Sequence, residues 1–186
     1  FSSKKNSYIK FINETIDNIN SSELEKVVCS SVFNVKLNSK SCIEYFKKLI
    51  QLNHDAFCYL FYHPEIGIWI GASPEKLLNL NNDIVTTFAL AATKKEMNQS
   101  WTDKEFREQK IVEEQIVADL ERGCTNIEIG ALQTVKAGNL YHLKSIIKGQ
   151  TKKSSSDLIK LLHPTPAIAG TPKNKAISYI NKMENY

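Results

Sequence analysis

The stretch GIWIGASPEKLLNLNNDIVTTFAL, residues 67–90, places short apolar segments between turn residues. The segments GIWIGA, KLLNL and DIVTTFAL have the length and apolar character of strands, and Ser, Pro and Asn residues separate them. A similar segment, AFCYLFYH, precedes them at residues 56–63. The pattern predicts an antiparallel meander of four strands.

Helical segments lie on both sides of these strands. The patterns Ser41-x-x-Glu44 and Thr102-x-x-Glu105 are capping boxes, which predict the starts of two helices, the second ending near Arg122. Apolar residues of SYIKFINETIDNIN recur at helical spacing and predict an N-terminal helix.

The remaining segments mix strands and helices. KVVCSSVFNVKL, NIEIG and LQTVKAG read as strands. DLIKLL is expected to begin after Ser155 or Ser156 and to end before His163-Pro164, and a last helix is expected with Pro172 at its first position. Because strands and helices do not alternate strictly, we expect an α+β fold with antiparallel sheets, forming a single domain over residues 1–186.

The composition excludes several classes of function. The net charge of +4 comes from scattered lysines without an aromatic-rich basic block, so no nucleic-acid partner is expected. Neither a membrane-spanning run nor an N-terminal signal is visible, and the four cysteines form no CxxC pair. These features predict a cytoplasmic protein with free thiols, no membrane partner and no cysteine-based metal site.

Three charged residues lie where elements begin or end. Lys26 opens a predicted strand, Glu75 follows the end of GIWIGAS, and Glu108 lies on the long predicted helix. Each has an ordinary interpretation as a solvated surface charge. Their residue types alone allow only the suspicion that an amine and two carboxylates converge.

Six segments in order carry a more specific signal: KVV, GASPEKLL, TTFALAAT, KEFREQKIV, AGNLYHLKS and LLHPTPAIAGTP. From about Lys26 to its end, the chain resembles the chorismate-binding enzyme family, which includes isochorismate, salicylate, anthranilate and aminodeoxychorismate synthases. The ALA of ALAAT is most similar to isochorismate synthases. The resemblance implies part of the anthranilate synthase component I fold, with antiparallel sheets flanked by helices.

The resemblance also implies roles for individual residues. Lys26 matches the general base that deprotonates water for attack at C2 of chorismate, and Glu75 matches the general acid that protonates the departing C4 hydroxyl. Glu108 matches a carboxylate that binds Mg²⁺. For these roles the pKa of the lysine has to be lowered and that of Glu75 raised, as in a partly dry pocket.

Substrate contacts are implied at three further positions. Ala92 and Thr93 match a loop that touches a substrate carboxylate. His163 matches a histidine that lines the site, with a structural role as the alternative. The family usually has glycine at the position of Ala92, so the methyl group is expected to crowd this backbone.

The resemblance favours an isochorismate synthase, an isomerase feeding menaquinone or a catecholate siderophore. A salicylate synthase is the alternative within the family, and a non-catalytic chorismate-binding module is the alternative outside enzymes. The given sequence ends with KMENY, whereas the family continues with an arginine-containing strand and a second carboxylate that binds magnesium. The chain therefore resembles a fragment, which we expect to be poorly active alone and to self-associate through exposed strand edges.

Overall fold

The computed structural model of the protein describes residues 2–36, 41–73 and 75–184, and they form an α+β fold. The helices are α1 (Ser2–Ser21), α2 (Cys42–Leu52), α3 (Asp103–Glu121), α4 (Ser155–Leu162) and α5 (Lys173–Met183). The strands are β1 (Lys26–Val27), β2 (Phe57–His63), β3 (Gly67–Ser73), β4 (Asn79–Asn81), β5 (Ile84–Lys94), β6 (Thr125–Ile129), β7 (Gln133–Ala137), β8 (Leu140–Gln150) and β9 (Gly170–Thr171).

The largest sheet has five antiparallel strands with β8 at its centre. Strand β8 pairs with β5 along one edge, and β6 and β7 share its other edge, while β4 extends the sheet beyond β5. The register sets Ala89 opposite Ser145 and Ala91 opposite Leu143. The two longest strands of the described chain therefore form the platform on which the helices pack.

The core lies between this sheet and helices α3 and α4. Alternate residues of β5 and β8 meet apolar residues from one side of each helix, which is the arrangement that a half-buried sheet requires. The buried cluster comprises Val85, Ala89, Ala91, Val112, Ile116, Leu120, Cys124, Ile147, Leu158 and Leu162. Packing on this cluster fixes the position of α3 over β5.

A second sheet consists of β2 and β3 alone, with α2 in contact with both strands. The rings of Phe57, Tyr59 and Phe61 follow one another at centroid distances of 6.3 and 6.0 Å, and Trp69 stacks on Phe61 at 6.5 Å. The expected meander is therefore wrong in its connectivity. Strand β3 pairs with β2, whereas β4 pairs with β5 in the larger sheet.

The expected strand KVVCSSVFNVKL is mostly wrong. Only Lys26–Val27 is a strand, and residues 28–36 are irregular, while Leu37 lies outside the described residues. The side chains of Val32, Phe33 and Val35 are exposed. The apolar residues of this segment suggested a strand, but among the described residues only Lys26 and Val27 pair with another strand, which is β9.

Strand β8 was not predicted as a strand. Its buried positions are Leu143, Ser145, Ile147 and Gly149, so a hydroxyl and a glycine interrupt the apolar alternation that marks a strand. The strand at the centre of the sheet therefore lacks the regular apolar alternation on which the prediction of a strand relies.

The helix predictions are confirmed with small shifts at the ends. Both capping boxes are present, with the backbone N–H of Thr102 donating to Glu105 Oε2 at 2.8 Å in the second. Ser154 rather than its successors caps α4, and Pro172 occupies the N-cap of α5 instead of its first turn. None of the helices in the described part of the chain combines the length and apolar character needed to span a bilayer.

Candidate active site

Lys26 joins three segments that are distant in the sequence. Its side chain is only 15% exposed, and its ammonium lies 3.9 Å from Glu108 Oε1 on α3. The same ammonium donates a hydrogen bond of 3.0 Å to the carbonyl oxygen of Pro166. The structure thus brings together two of the residues that the sequence implicated, Lys26 and Glu108, and adds a backbone acceptor from the loop before β9.

The short β1–β9 pair holds the backbone of Lys26. Lys26 lies opposite Thr171, and hydrogen bonds of 2.9 Å on either side, from Glu25 N–H to Thr171 O and from Val28 N–H to Ala169 O, extend the pairing. Gly170 has a φ of 137° and lies against the Lys26 carbonyl, where a Cβ atom would overlap the oxygen. A glycine is therefore required for β1 to approach β9 this closely.

Glu75 is assigned to a cluster of one amine and two carboxylates with Lys26 and Glu108, because its negative charge acts on the pKa of Lys26. It follows the end of β3, is half-buried, and accepts a hydrogen bond of 3.2 Å from Ser73 Oγ at its backbone carbonyl. Burial raises the pKa of the Glu75 carboxyl above its ordinary value, and the positive charge of Lys26 opposes part of that rise. Glu75 is therefore shifted towards the protonated form that a general acid needs.

The pKa of Lys26 shifts in the opposite direction. Burial lowers the pKa of its ammonium, while the negative charges of Glu108 and, to a smaller degree, Glu75 raise it. Desolvation is the larger cause because it removes the ammonium from water, whereas Glu108 remains 38% exposed and partly screened. The two shifts match the directions expected for a base and an acid in one pocket.

Glu108 offers a hard oxygen ligand at the edge of this cluster. The described residues contain no group of three or more His, Cys, Asp or Glu side chains arranged to hold a metal ion. A protein-only site for a divalent cation is thus not formed among them. One accessible carboxylate does fit the way Mg²⁺ binds, through one or two protein carboxylates with substrate oxygens and water completing the octahedron.

Ala92 and Thr93 form a bulge in strand β5. Ala91 pairs with Leu143 and Lys94 pairs with Tyr141, so these two residues oppose the single residue His142. Ala92 has a φ of 60°, the left-handed conformation in which glycine is normally found. This backbone conformation is a physical reason for the glycine expected from the resemblance, and Ala92 adopts it with a buried methyl group.

His142 was missed at this position. Its Nδ1 atom lies 2.9 Å from the carbonyl oxygen of Ala92 and 3.2 Å from Thr93 Oγ1. The residue lies within the quoted segment AGNLYHLKS, but a single histidine in an unrecognised strand gave no indication of its contacts.

His163 occupies a different environment from the cluster. It is exposed at the C-cap of α4, where its backbone N–H donates to Ile159 O at 2.8 Å. The contact from this loop to Lys26 comes from Pro166 instead. A role for the His163 imidazole in lining the site stays a prediction.

A buried polar network beside Glu108 was also missed. Gln109 Nε2 donates to Ala89 O at 3.1 Å and to Ser145 Oγ at 3.2 Å, and the Ser145 hydroxyl donates to Glu113 Oε2 at 2.6 Å. The network ties α3 to β5 and β8 next to the residue that carries the metal-binding prediction. It also fixes α3, the helix that carries Glu108, over β5, the strand that contains the Ala92–Thr93 bulge.

Comparison with known proteins identifies a family and relatives of the chain. The chorismate binding enzyme family matches residues 2–186. The isochorismate synthase MenF of Bacillus subtilis strain 168 is 28% identical over 97% of this chain, and the chain spans 41% of that relative's length.

Solved structures share the fold. The menaquinone-specific isochorismate synthase MenF of Escherichia coli superposes with a TM-score of 0.68 at 23% identity, over 76% of this chain and 36% of that one. Anthranilate synthase component I of Streptococcus pneumoniae TIGR4 gives a TM-score of 0.67 at 23% identity, over 79% of this chain and 35% of that one. The family match over nearly the whole chain, together with this shared fold, shows that the protein belongs to the chorismate-binding enzyme family.

Proposed function

We propose that the chain carries the acid–base pair of an isochorismate synthase, which converts chorismate to isochorismate with Mg²⁺ as cofactor. The observation that supports this most directly is the cluster of Lys26 and Glu75, whose pKa values are shifted towards the neutral amine and the protonated carboxyl. An isomerase that exchanges one hydroxyl position for another needs a proton acceptor and a proton donor in one pocket.

The proposed reaction balances without any further reactant. The neutral Lys26 amine accepts a proton from water as the water oxygen bonds to C2 of chorismate. Both ring double bonds shift, from C1=C2 to C1=C6 and from C5=C6 to C4=C5, the C4–O bond breaks, and the carboxyl of Glu75 donates its proton to the departing hydroxyl, which leaves as water. One water enters and one leaves, and the proton held by Lys26 returns to Glu75 through solvent before the next turnover.

Glu108 would hold the magnesium ion from the protein side. Bound there, the ion would neutralise a carboxylate of the substrate and orient the ring. Glu108 also lies beside Lys26, so its carboxylate balances the ammonium charge while the lysine is protonated. The Ala92–Thr93 bulge and His163 are proposed to contact the substrate, as the resemblance implies.

The test is product analysis with the intact protein, meaning the natural full-length polypeptide, in H₂¹⁸O with chorismate and Mg²⁺ supplied. We expect isochorismate that carries one ¹⁸O atom at C2, because the new hydroxyl comes from solvent. Salicylate as the main product would instead favour the salicylate synthase alternative. Failure of the intact protein to consume chorismate would favour the non-catalytic module.

Glu108→Ala tests the metal assignment in the same assay. We expect the Mg²⁺ concentration for half-maximal activity to rise by about tenfold or more, since loss of even supporting groups around a metal typically costs that much. Glu114→Ala is the matched control, because Glu114 lies on the same helix, is exposed, and forms its ion pair with Lys110 rather than with Lys26. An equal effect of both changes would contradict a specific role for Glu108.

A further inference from the structure

The bulge at Ala92–Thr93 changes which side chains of β5 face the core. Before it, odd-numbered residues from Val85 to Ala91 are buried, and after it the even-numbered Lys94 is buried while Thr93 is exposed. A bulge inserts one extra residue and so reverses the alternation of the strand. The exposure of Thr93 therefore depends on the bulge being formed.

Ala92 is an unfavourable residue for this backbone. At a φ of 60°, the Cβ atom of an L-residue crowds the adjacent carbonyl, which costs roughly 1–2 kcal/mol relative to glycine. A conformation of this kind persists only where neighbouring groups enforce it. The surrounding structure must therefore supply an interaction that is specific to the left-handed form.

His142 supplies such an interaction. It is the residue opposite the bulge, and its Nδ1 lies 2.9 Å from the Ala92 carbonyl oxygen. A carbonyl oxygen can only accept, so Nδ1 must carry the proton and donate it. Thr93 Oγ1, at 3.2 Å from the same nitrogen, is then a second and weaker acceptor.

We infer that His142 is a positioning residue, whose imidazole holds the Ala92–Thr93 bulge in the left-handed conformation and so compensates for the absence of glycine at position 92. The inference about the backbone is independent of the proposed reaction. The further step, that the bulge presents Thr93 to the substrate, rests on the proposed function.

The test combines two substitutions at His142 with one at Ala92. His142→Phe retains a ring and removes the donor, whereas His142→Asn places an amide nitrogen near the position of Nδ1 and retains a donor. Ala92→Gly removes the steric cost of the left-handed form. The variants are made in the intact protein, and each is checked for folding by thermal unfolding.

Crystal structures of the variants give the first readout, which needs no enzymatic activity. We expect the φ angle of Ala92 to leave the positive region in His142→Phe and to remain positive in His142→Asn. In the double variant Ala92→Gly/His142→Phe, we expect residue 92 to stay at positive φ. A positive φ at Ala92 in His142→Phe would overturn the inference.

Steady-state kinetics with chorismate give the second readout. In His142→Phe we expect KM to rise by about tenfold, the equivalent of one lost hydrogen bond, with a smaller effect on kcat. His142→Asn should restore most of the loss, and the Ala92→Gly background should reduce the effect of His142→Phe. An equal loss in the wild-type and Ala92→Gly backgrounds would show that His142 acts independently of the bulge.

The two readouts separate the possible failures. If the intact protein does not convert chorismate, the proposed function fails, but the φ angles still decide the role of His142. If His142→Phe does not fold, His142→Ala in the same two backgrounds takes its place.

Discussion

The ammonium of Lys26 lies 3.9 Å from Glu108 Oε1, and burial nevertheless lowers the Lys26 pKa. An ion pair would normally favour the charged amine. Here the lysine is largely buried, so its ammonium loses much of its hydration. Glu108 remains 38% exposed, so water weakens its attraction for the ammonium. The loss of hydration is therefore the larger effect on the pKa of Lys26. Lys26 is thereby closer to the neutral amine than a surface lysine, although a carboxylate is its neighbour.

Substitution of Lys26 separates its basicity from its charge. Lys26→Met removes both, whereas Lys26→Arg keeps a positive charge that does not dissociate near neutral pH. If Lys26 is the base, both variants should lose about 10²–10⁴-fold in kcat, the usual contribution of general acid–base catalysis. The measurement is the steady-state rate of isochorismate formation by the intact protein. Near-normal turnover by Lys26→Arg would assign Lys26 an electrostatic role instead.

Glu75 should make stability depend on pH in a defined direction. Its pKa is raised above the ordinary value of 4.5, so the folded state binds the proton more tightly than the unfolded state. The stability contributed by the protonated carboxyl is fully present below the unfolded pKa and is lost as the pH rises through the folded pKa. Ionised Glu75 therefore lowers the free energy of unfolding at neutral pH.

Glu75→Gln should remove this pH-dependent loss. We expect the variant to be more stable than the wild type near pH 7, and the difference to shrink as the pH falls to about 4. Urea unfolding of both proteins across this pH range measures the difference in their free energies of unfolding. The titration of the other groups is common to both proteins and cancels in this difference. Activity should fall at the same time, because the amide cannot supply the proton. A variant that is less stable than the wild type at every pH would contradict the burial argument.

Local sequence patterns predicted the starts of two helices well. Ser41 with Glu44 and Thr102 with Glu105 located helix starts because a capping box is completed within four residues. Strand β8 was not predicted because its buried Ser145 interrupts the apolar pattern. The hydroxyl of Ser145 is satisfied by Gln109 and Glu113 on α3, and contacts with another element cannot be read from the sequence of the strand. Tertiary contacts had replaced the local pattern there.

The site was predictable only in part. The resemblance named Lys26, Glu75 and Glu108, but only the β1–β9 pairing and the packing of α3 place Lys26 against Glu108. The bulge at Ala92 could not be foreseen, because it arises from a mismatch in register between two strands. His142 could be assigned a contact only after both strands were known.

The Gln109 network should contribute measurably to stability. Gln109→Met has a similar length but no donors, so it leaves the buried Ala89 carbonyl and the Ser145 hydroxyl without their amide partner. Loss of a buried hydrogen-bonding partner typically costs about 1–3 kcal/mol, and that is the expected decrease in the free energy of unfolding.

Gln115→Met is the matched control for this change. Gln115 lies on the same helix, is only half-buried and is outside the network, so its substitution should change stability by about 0.5 kcal/mol or less. Urea denaturation of both variants measures the contrast. Equal costs for the two variants would mean that the network adds nothing beyond ordinary helix packing.

Gly170 should be required for the position of Lys26. A methyl group on Gly170 would overlap the Lys26 carbonyl oxygen and would lie 3.0 Å from the Ala176 Cβ atom, at a φ of 137° that an alanine rarely adopts. Relief of this overlap requires β1 to move away from β9. We therefore expect Gly170→Ala to lower the free energy of unfolding by about 2–4 kcal/mol, from strain and overpacking together.

Gly67→Ala separates the two causes. Gly67 also has a positive φ, of 78°, but no atom lies within 4 Å of the position where its Cβ would stand. Its substitution should therefore cost only the backbone strain, about 1–2 kcal/mol, and leave chorismate turnover nearly unchanged because it lies at the first residue of β3, directly after the turn that follows β2. Gly170→Ala should in addition reduce kcat/KM, since it displaces the backbone that carries Lys26. Comparable stability losses with unimpaired turnover in both variants would show that Lys26 reaches its place without the close approach of β1 to β9.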